Sequence, residues 1–384
     1  MTGGLQFVGL DEVIAKRNGS VDPAKFPGEV FELLSIPAFD AGKPELTVGA
    51  EIGSTKQVVQ EGDVLLSKIV PHIRRAWVVK PTTNHRLIAS GEWIVFRDSR
   101  FDPRYLRHLL TADGFHRQFM QTVSGIGGSL LRARPAEVAK IKVPLPPKKE
   151  QQRIAAILDK ADSLRLKRKE AISLADEFLR AVFVDMFGKH PKTKVLTDYC
   201  DFLAGFAFKS ERYVSPDLGV RLLRGINVGI NSFEWSDAAG YLKDSMTGLD
   251  RYLLEAGDVV MAMDRPWISS GLKCAVVDQT VAGNYLVQRV ARLRPKQPGS
   301  EMFIFNCLQG SDFKSHCRIT ETTIPHISPK DFATYPVPYA TTQEISSFAR
   351  LANKVRGMTM TGFAAGDLAN QLQSSLQDGI FEQK

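Results

Sequence analysis

The stretch VPLPPKKEQQRIAAILDKADSL, Val143–Leu164, decides how the chain is read. Pro144, Pro146 and Pro147 push their neighbours to extended geometry and disfavour helix before Lys149. Beyond them apolar or small residues step by four and three: Ile154, Leu158, Ala161, then Ile172, Ala175, Leu179, Val182 and Met186, until Gly188 and Pro191 stop the helix. A second junction of the same kind, YPVPYATTQEISSFARLANKV, runs over Tyr335–Val355. Pro135 answers Pro329 and Val143 answers Val337, each 194 positions on.

Other segments repeat in the same order. EGDVLLSKI (Glu61–Ile69) answers AGDVVMAMD (Ala256–Asp264), and FELLSIPAF (Phe31–Phe39) answers VRLLRGINV (Val220–Val228). RPAEVAKIKVPLP (Arg134–Pro146) answers SPKDFATYPVP (Ser328–Pro338). A run of matches at nearly constant offset implies duplication, so the chain reads as globule, helix, globule, helix. Gly-Asp followed by an apolar run is a turn feeding a buried strand, and each globule is mixed, with more strand than helix. PRYLRHLLTADGFHRQFMQTV (Pro103–Val123) is helical, with Pro103 in its first turn.

The first long helix spans about 38 residues, roughly 57 Å at 1.5 Å per residue. Its seam resembles a coiled coil but carries Arg165 and Arg168 at its centre. The second runs from about Thr342 to about Phe381, with a stripe that includes Ile345, Phe348, Ala352, Val355, Gly362, Gly366, Leu376 and Ile380. Two copies related by a pseudo-twofold place the helices antiparallel, with Arg168 opposite Gly362. The pairing residues are then Ile154, Leu158, Arg168, Leu179, Phe348, Gly362, Gly366 and Leu376. The glycines in RGMTMTGFAAG also allow a simple break there.

The 384 residues are 43% apolar and 24% charged, with mean hydropathy −0.13, ordinary for two or three folded domains. The net charge of +8 favours polyanionic partners such as nucleic acid. The apolar runs are too short to span a bilayer, and the acidic pair in MTGGLQFVGLDEVIAKR argues against a signal peptide, so a cytoplasmic location is expected. The four cysteines form no CxxC. Cys307 and Cys317 with His316 fall short of a zinc set, so reduced, buried thiols and no metal are expected. No Asn/Asp-Pro-Pro-aromatic stretch and no GxxxxGK[ST] loop is present. His72 and His326 have no visible catalytic partner, so this chain is not expected to be an enzyme.

IKVPLPPKKEQQRIAAILDKAD resembles the junction that closes a target recognition domain in the specificity subunits of type I restriction–modification enzymes. GDVLLSKI, GDVVMAMD and TTIPHISPKDFATYPVP resemble further segments of that family. The second junction departs from the pattern, with Tyr339 where the first has Pro147 and a single Gln343-Glu344. The resemblance implies an α+β fold: target recognition domains at 1–147 and 189–341, joined by long antiparallel helices at 148–188 and 342–384. It implies a non-catalytic subunit in which each globule recognises one half of a bipartite double-stranded DNA site. The helices would set the spacer and dock two methyltransferase subunits, on which restriction/translocase subunits assemble. S-adenosylmethionine, ATP and Mg would belong to those partners, with no cofactor bound here.

DNA-contact candidates are the loops that follow the strands. The first globule offers Lys68, His72, Arg74, Arg75 and Trp77, then Ser124, Ser129, Arg132 and Arg134. The second offers Arg265, Trp267, Ser269, Ser270 and Lys273, then Arg318, Thr320, Thr322, Thr323 and His326. Paired arginines such as Arg74-Arg75 can fork onto guanine edges or grip phosphates. GIGGS (Gly125–Ser129) could offer backbone amides to a phosphate, although a plain turn also accounts for it. Competing readings are a stand-alone DNA nuclease or methyltransferase, and a duplicated scaffold that binds only protein.

Overall fold

The computed structural model describes residues 6–16, 18–125, 131–318 and 326–358. The described residues form two compact units, one within 1–169 and one within 170–361. Each is described by itself.

The first unit is built on two sheets. A five-stranded sheet has the order Ser20–Val21, Lys56–Val58, Arg86–Ala89, Val30–Leu34, Glu45–Val48. Val30–Leu34 runs parallel to Arg86–Ala89, and the other pairs are antiparallel. A three-stranded antiparallel sheet has Val64–Ser67 between Ala76–Val78 and Trp93–Phe96. The central strand Val64–Ser67 and the edge strand Trp93–Phe96 are both buried along their full length, which is why they read as continuous apolar runs rather than alternations. Helices Pro103–Thr111 and Asp113–Gln121 cover it, the first capped by the Asp102 carboxylate. Phe7–Gly9 pairs with Lys142–Pro144 and brings the start of the globule beside its closing segment.

The second unit repeats the plan. Val259–Ala262 lies between Val290–Pro295 and Cys274–Val276, with Cys200–Ala204 at the edge. Val220–Leu223 runs parallel to Tyr285–Leu286, as Val30–Leu34 does to Arg86–Ala89. Helices Glu301–Gln309 and Ser311–His316 answer the first unit's pair, and Lys194–Val195 with Pro336–Val337 answers its closing strands. The fold is α+β, with one helix of 40 residues, Lys148–Phe187.

The ends of that helix belong to globular cores. Ile154, Ala155 and Leu158 are buried with Tyr105, Leu109 and Val143 in the first unit. Leu179, Phe183 and Phe187 are buried in the second unit, where Phe183 and Phe187 meet Phe348 at ring separations of 5.7 and 5.9 Å. Phe348 lies in the helix over 342–358. Arg165 is exposed and reaches Asp162, and Arg168 is half-buried. Gly362, Gly366 and Leu376 lie outside the described residues.

Candidate nucleic-acid interface

The Gly-Asp turn works identically in both units. Asp63 and Asp258 are each 1% exposed. Each carboxylate accepts the backbone N–H three residues back, from Gln60 at 2.9 Å and from Glu255 at 2.8 Å. Each also takes a two-pronged guanidinium from the neighbouring strand, Arg97 at 2.6 Å and Arg294 at 2.8 and 2.9 Å. Those carboxylates raise the pKa of Arg97 and of Arg294.

The strand that leaves this turn ends in a fixed clasp. Lys68 N–H donates to Glu92 O at 3.0 Å and Ala133 N–H to Lys68 O at 2.8 Å. In the second unit Met263 N–H donates to Arg289 O at 2.8 Å and Ile327 N–H to Met263 O at 2.9 Å. Two residues on, Val70 and Arg265 have φ of 47° and 44°, each directly before a buried proline, Pro71 or Pro266. A left-handed residue before proline is disfavoured, more so when β-branched, and costs on the order of 1–3 kcal/mol. The same cost is held at the same place twice.

The clasp shows which side chains correspond. Ile69 bridges Arg132, and Asp264 bridges His326, so Arg132 and His326 are equivalent, as are Glu92 and Arg289. In the first unit Arg132 reaches Glu92 at 3.1 Å. In the second, Asp264 takes Arg289 at 2.7 Å and His326 Nδ1 at 2.5 Å. Arg289 is well exposed and was not singled out from the sequence, because it sits inside a strand-like run.

The expected contact residues divide. His72, Arg132 and Arg134 are exposed and Lys68 is half-buried. Arg74 is tied to Asp113 at 2.5 Å and to Thr111 O at 3.1 Å. Arg75 points inward, its guanidinium forked onto Asp40 at 2.8 and 2.9 Å, so the two arginines do not form a joint fork. Trp77 is half-buried edge-on to Phe39. Arg265, Ser269 and Ser270 are exposed, the serines at the turn between Trp267–Ile268 and Gly271–Leu272. Trp267 leans on Phe313, and Lys273 donates to Gly225 O, where burial lowers its pKa. Arg318 is exposed and left-handed at φ 49°. Ser129, Thr320, Thr322, Thr323 and most of GIGGS lie outside the described residues. Cys307 is buried and Cys317 half-buried, and burial raises both thiols.

The helix junctions use different chemistry. Gln151, 1% exposed, accepts Asp102 N–H at 2.7 Å and donates to Arg100 O at 3.0 Å and Pro146 O at 2.8 Å. Asp159 and Asp162 take Arg107 at 3.1 Å each, and Asp159 takes buried His108 at 2.9 Å. Burial, then the Arg107 charge, lowers the His108 pKa. At the second junction Glu344 instead caps its own helix, accepting Thr341 N–H at 2.8 Å and its hydroxyl at 2.7 Å. On the long helix, Ile157 and Leu164 in the first unit and Ala171, Leu174 and Phe178 in the second are further apolar or small residues, spaced seven apart and three and four apart. The large ones are 37–58% exposed.

Residues 4–174 match the family model described as the type I restriction modification DNA specificity domain. Over those residues the chain is similar to type I restriction specificity subunits. It is 34% identical over 132 residues to the EcoAI specificity subunit of Escherichia coli, covering 34% of this chain and 22% of that one. It is 26% identical over 193 residues to the MjaVIII specificity subunit of Methanocaldococcus jannaschii, covering 45% of each. The matches thus span less than half the length of either curated relative. A solved structure from work on complex assembly and conformational transition of the type I R-M system shares the fold at TM-score 0.51 and 19% identity, over 98% of this chain and 97% of that one. The S subunit from M. genitalium does so at TM-score 0.51 and 13% identity, over 99% and 96%. Val70, Arg132 and Gln151 all fall inside the matched specificity domain, and Arg265, Arg289 and His326 occupy its repeat.

Proposed function

We propose that the chain is the DNA sequence-specificity subunit of a type I restriction–modification enzyme. Residues 1–147 and 189–341 each bind one half of a bipartite duplex site, and the helices at 148–188 and 342–384 pair antiparallel and set the spacer. The observation that carries this is the strained turn and clasp, present in both units on one backbone frame with different side chains. Ile69, Glu92 and Arg132 in one unit stand where Asp264, Arg289 and His326 stand in the other. A shared frame with exchanged side chains suits two readers of unlike base sequences.

The exposed apolar residues Ile157 and Leu164, and Leu174 and Phe178, suit helices of two methyltransferase subunits, on which restriction/translocase subunits would assemble. Methyl transfer and cleavage, with S-adenosylmethionine, ATP and Mg, would then lie in those partners, in the cytoplasm. A salt titration of the complex on duplex DNA tests the binding reading. Log affinity should fall linearly with log salt at a slope of several units, with a remaining preference for the cognate duplex. A flat salt response or no preference rejects it.

A further inference from the structure

Ile73 and Ile268 occupy the same place on the two frames. Each lies three residues beyond the left-handed turn residue and two beyond the buried proline, in Val70-Pro71-His72-Ile73 and Arg265-Pro266-Trp267-Ile268. Ile73 is 44% exposed and Ile268 48%. The tips they sit on differ. Ile73 N–H closes a turn onto Val70 O at 2.9 Å, whereas Ile268 ends the first strand of a hairpin, paired with Gly271. The flanking residues differ as well, His72 and Arg74 against Trp267 and Ser269.

A single exposed isoleucine on a surface needs no explanation. Here the same large apolar side chain is held out to solvent at equivalent positions, on two differently shaped tips, behind two copies of a strained anchor. Packing cannot be the reason, because each side chain stays half in water. Base edges offer matching chemistry: thymine presents a methyl group in the major groove, and branched aliphatic side chains also enter base steps. Phosphates offer an isoleucine nothing.

We propose that Ile73 and Ile268 are specificity-determining residues, each making the apolar contact to bases of its own half-site. This rests on the proposed DNA-specificity function. Both side chains are exposed, so substitution leaves the frame intact.

The test uses the full chain with its methyltransferase partners, the motif methylated in the host genome, and duplexes with either half scrambled. Ile73→Ala and Ile268→Ala should each lower cognate affinity about tenfold, one mismatched base pair's worth. Binding to a fully scrambled duplex and the salt slope should stay unchanged. Each variant should lose discrimination in a different half, and Ile→Val should retain most of it. Wild-type affinity in both alanine variants overturns the proposal, as does an equal loss on cognate and scrambled duplexes. If the wild-type complex itself shows no cognate preference, the DNA-specificity function fails instead.

Discussion

Asp63 lies 2.6 Å from both the Nε and an Nη of Arg97 and is all but sealed from solvent, and Asp258 holds Arg294 in the same fork 195 positions later. The pair fixes the turn that launches the strand leading to Val70, so its loss should be felt in the whole sheet. Removing one partner of a fully buried pair costs about 3–5 kcal/mol. Arg97 is one-third exposed, so about 2–3 kcal/mol is expected for Asp63→Ala, read as a lowered unfolding midpoint. An unchanged midpoint would remove this turn from the account.

Glu32 gives the first globule an acid limit. Burial pushes its carboxyl pKa up, but Thr82 and Thr83 donate two backbone and two hydroxyl hydrogen bonds at 2.7–3.1 Å and bring it below the usual value. A depressed folded pKa contributes stability that is present above the unfolded value, about 4.3, and is lost as pH falls through the folded value. Glu32→Gln should therefore destabilise at neutral pH and flatten the stability profile below pH about 4.3. Wild type and variant with parallel profiles there would contradict this.

Gln151 anchors the long helix with three hydrogen bonds, all to backbone groups. Gln151→Ala leaves Asp102 N–H, Arg100 O and Pro146 O to find new partners, at a cost of about 2–3 kcal/mol. Limited proteolysis should then cut near residues 146–152 at a protease level that spares wild type. At Glu344, which caps an exposed helix end and faces His190 at 3.7 Å, alanine should leave that cleavage pattern unchanged.

Val70→Gly separates strain from sequence reading. Glycine accepts φ of 47° freely, so stability should hold or rise by up to about 1 kcal/mol. Discrimination between cognate and scrambled first half-sites should fall, because the turn is no longer locked. Reduced stability with intact discrimination would mean the turn is structural only.

Leu174→Lys with Phe178→Lys tests the exposed apolar residues of the long helix. Both side chains are about half exposed, so the fold should be altered by no more than about 0.5 kcal/mol per site. Co-purification of methyltransferase subunits should be lost. Retained assembly would put docking elsewhere.

The duplication was legible because Gly-Asp, the proline blocks and the apolar runs keep their order and nearly their spacing. What those features do was not. The stripe of Ile154, Leu158 and Leu179 has helical period, but a period does not name its partner, and these side chains fill globular cores. Arg74-Arg75 looked like a fork, yet the acid that turns Arg75 inward, Asp40, lies 35 residues away in sequence. The equivalence of Arg132 and His326 follows the 194 spacing of the proline blocks, whereas that of Glu92 and Arg289, 197 apart, does not and shows only in the backbone clasp. Ile73 and Ile268 were overlooked because an isoleucine beside a strand reads as core.

The most direct test of two readers in one chain is to replace residues 189–341 with the matching segment of a relative and sequence the methylated motif in cells. One half of a split motif should change, with the other half and the spacer kept. A change in both halves, or in neither, would contradict the account.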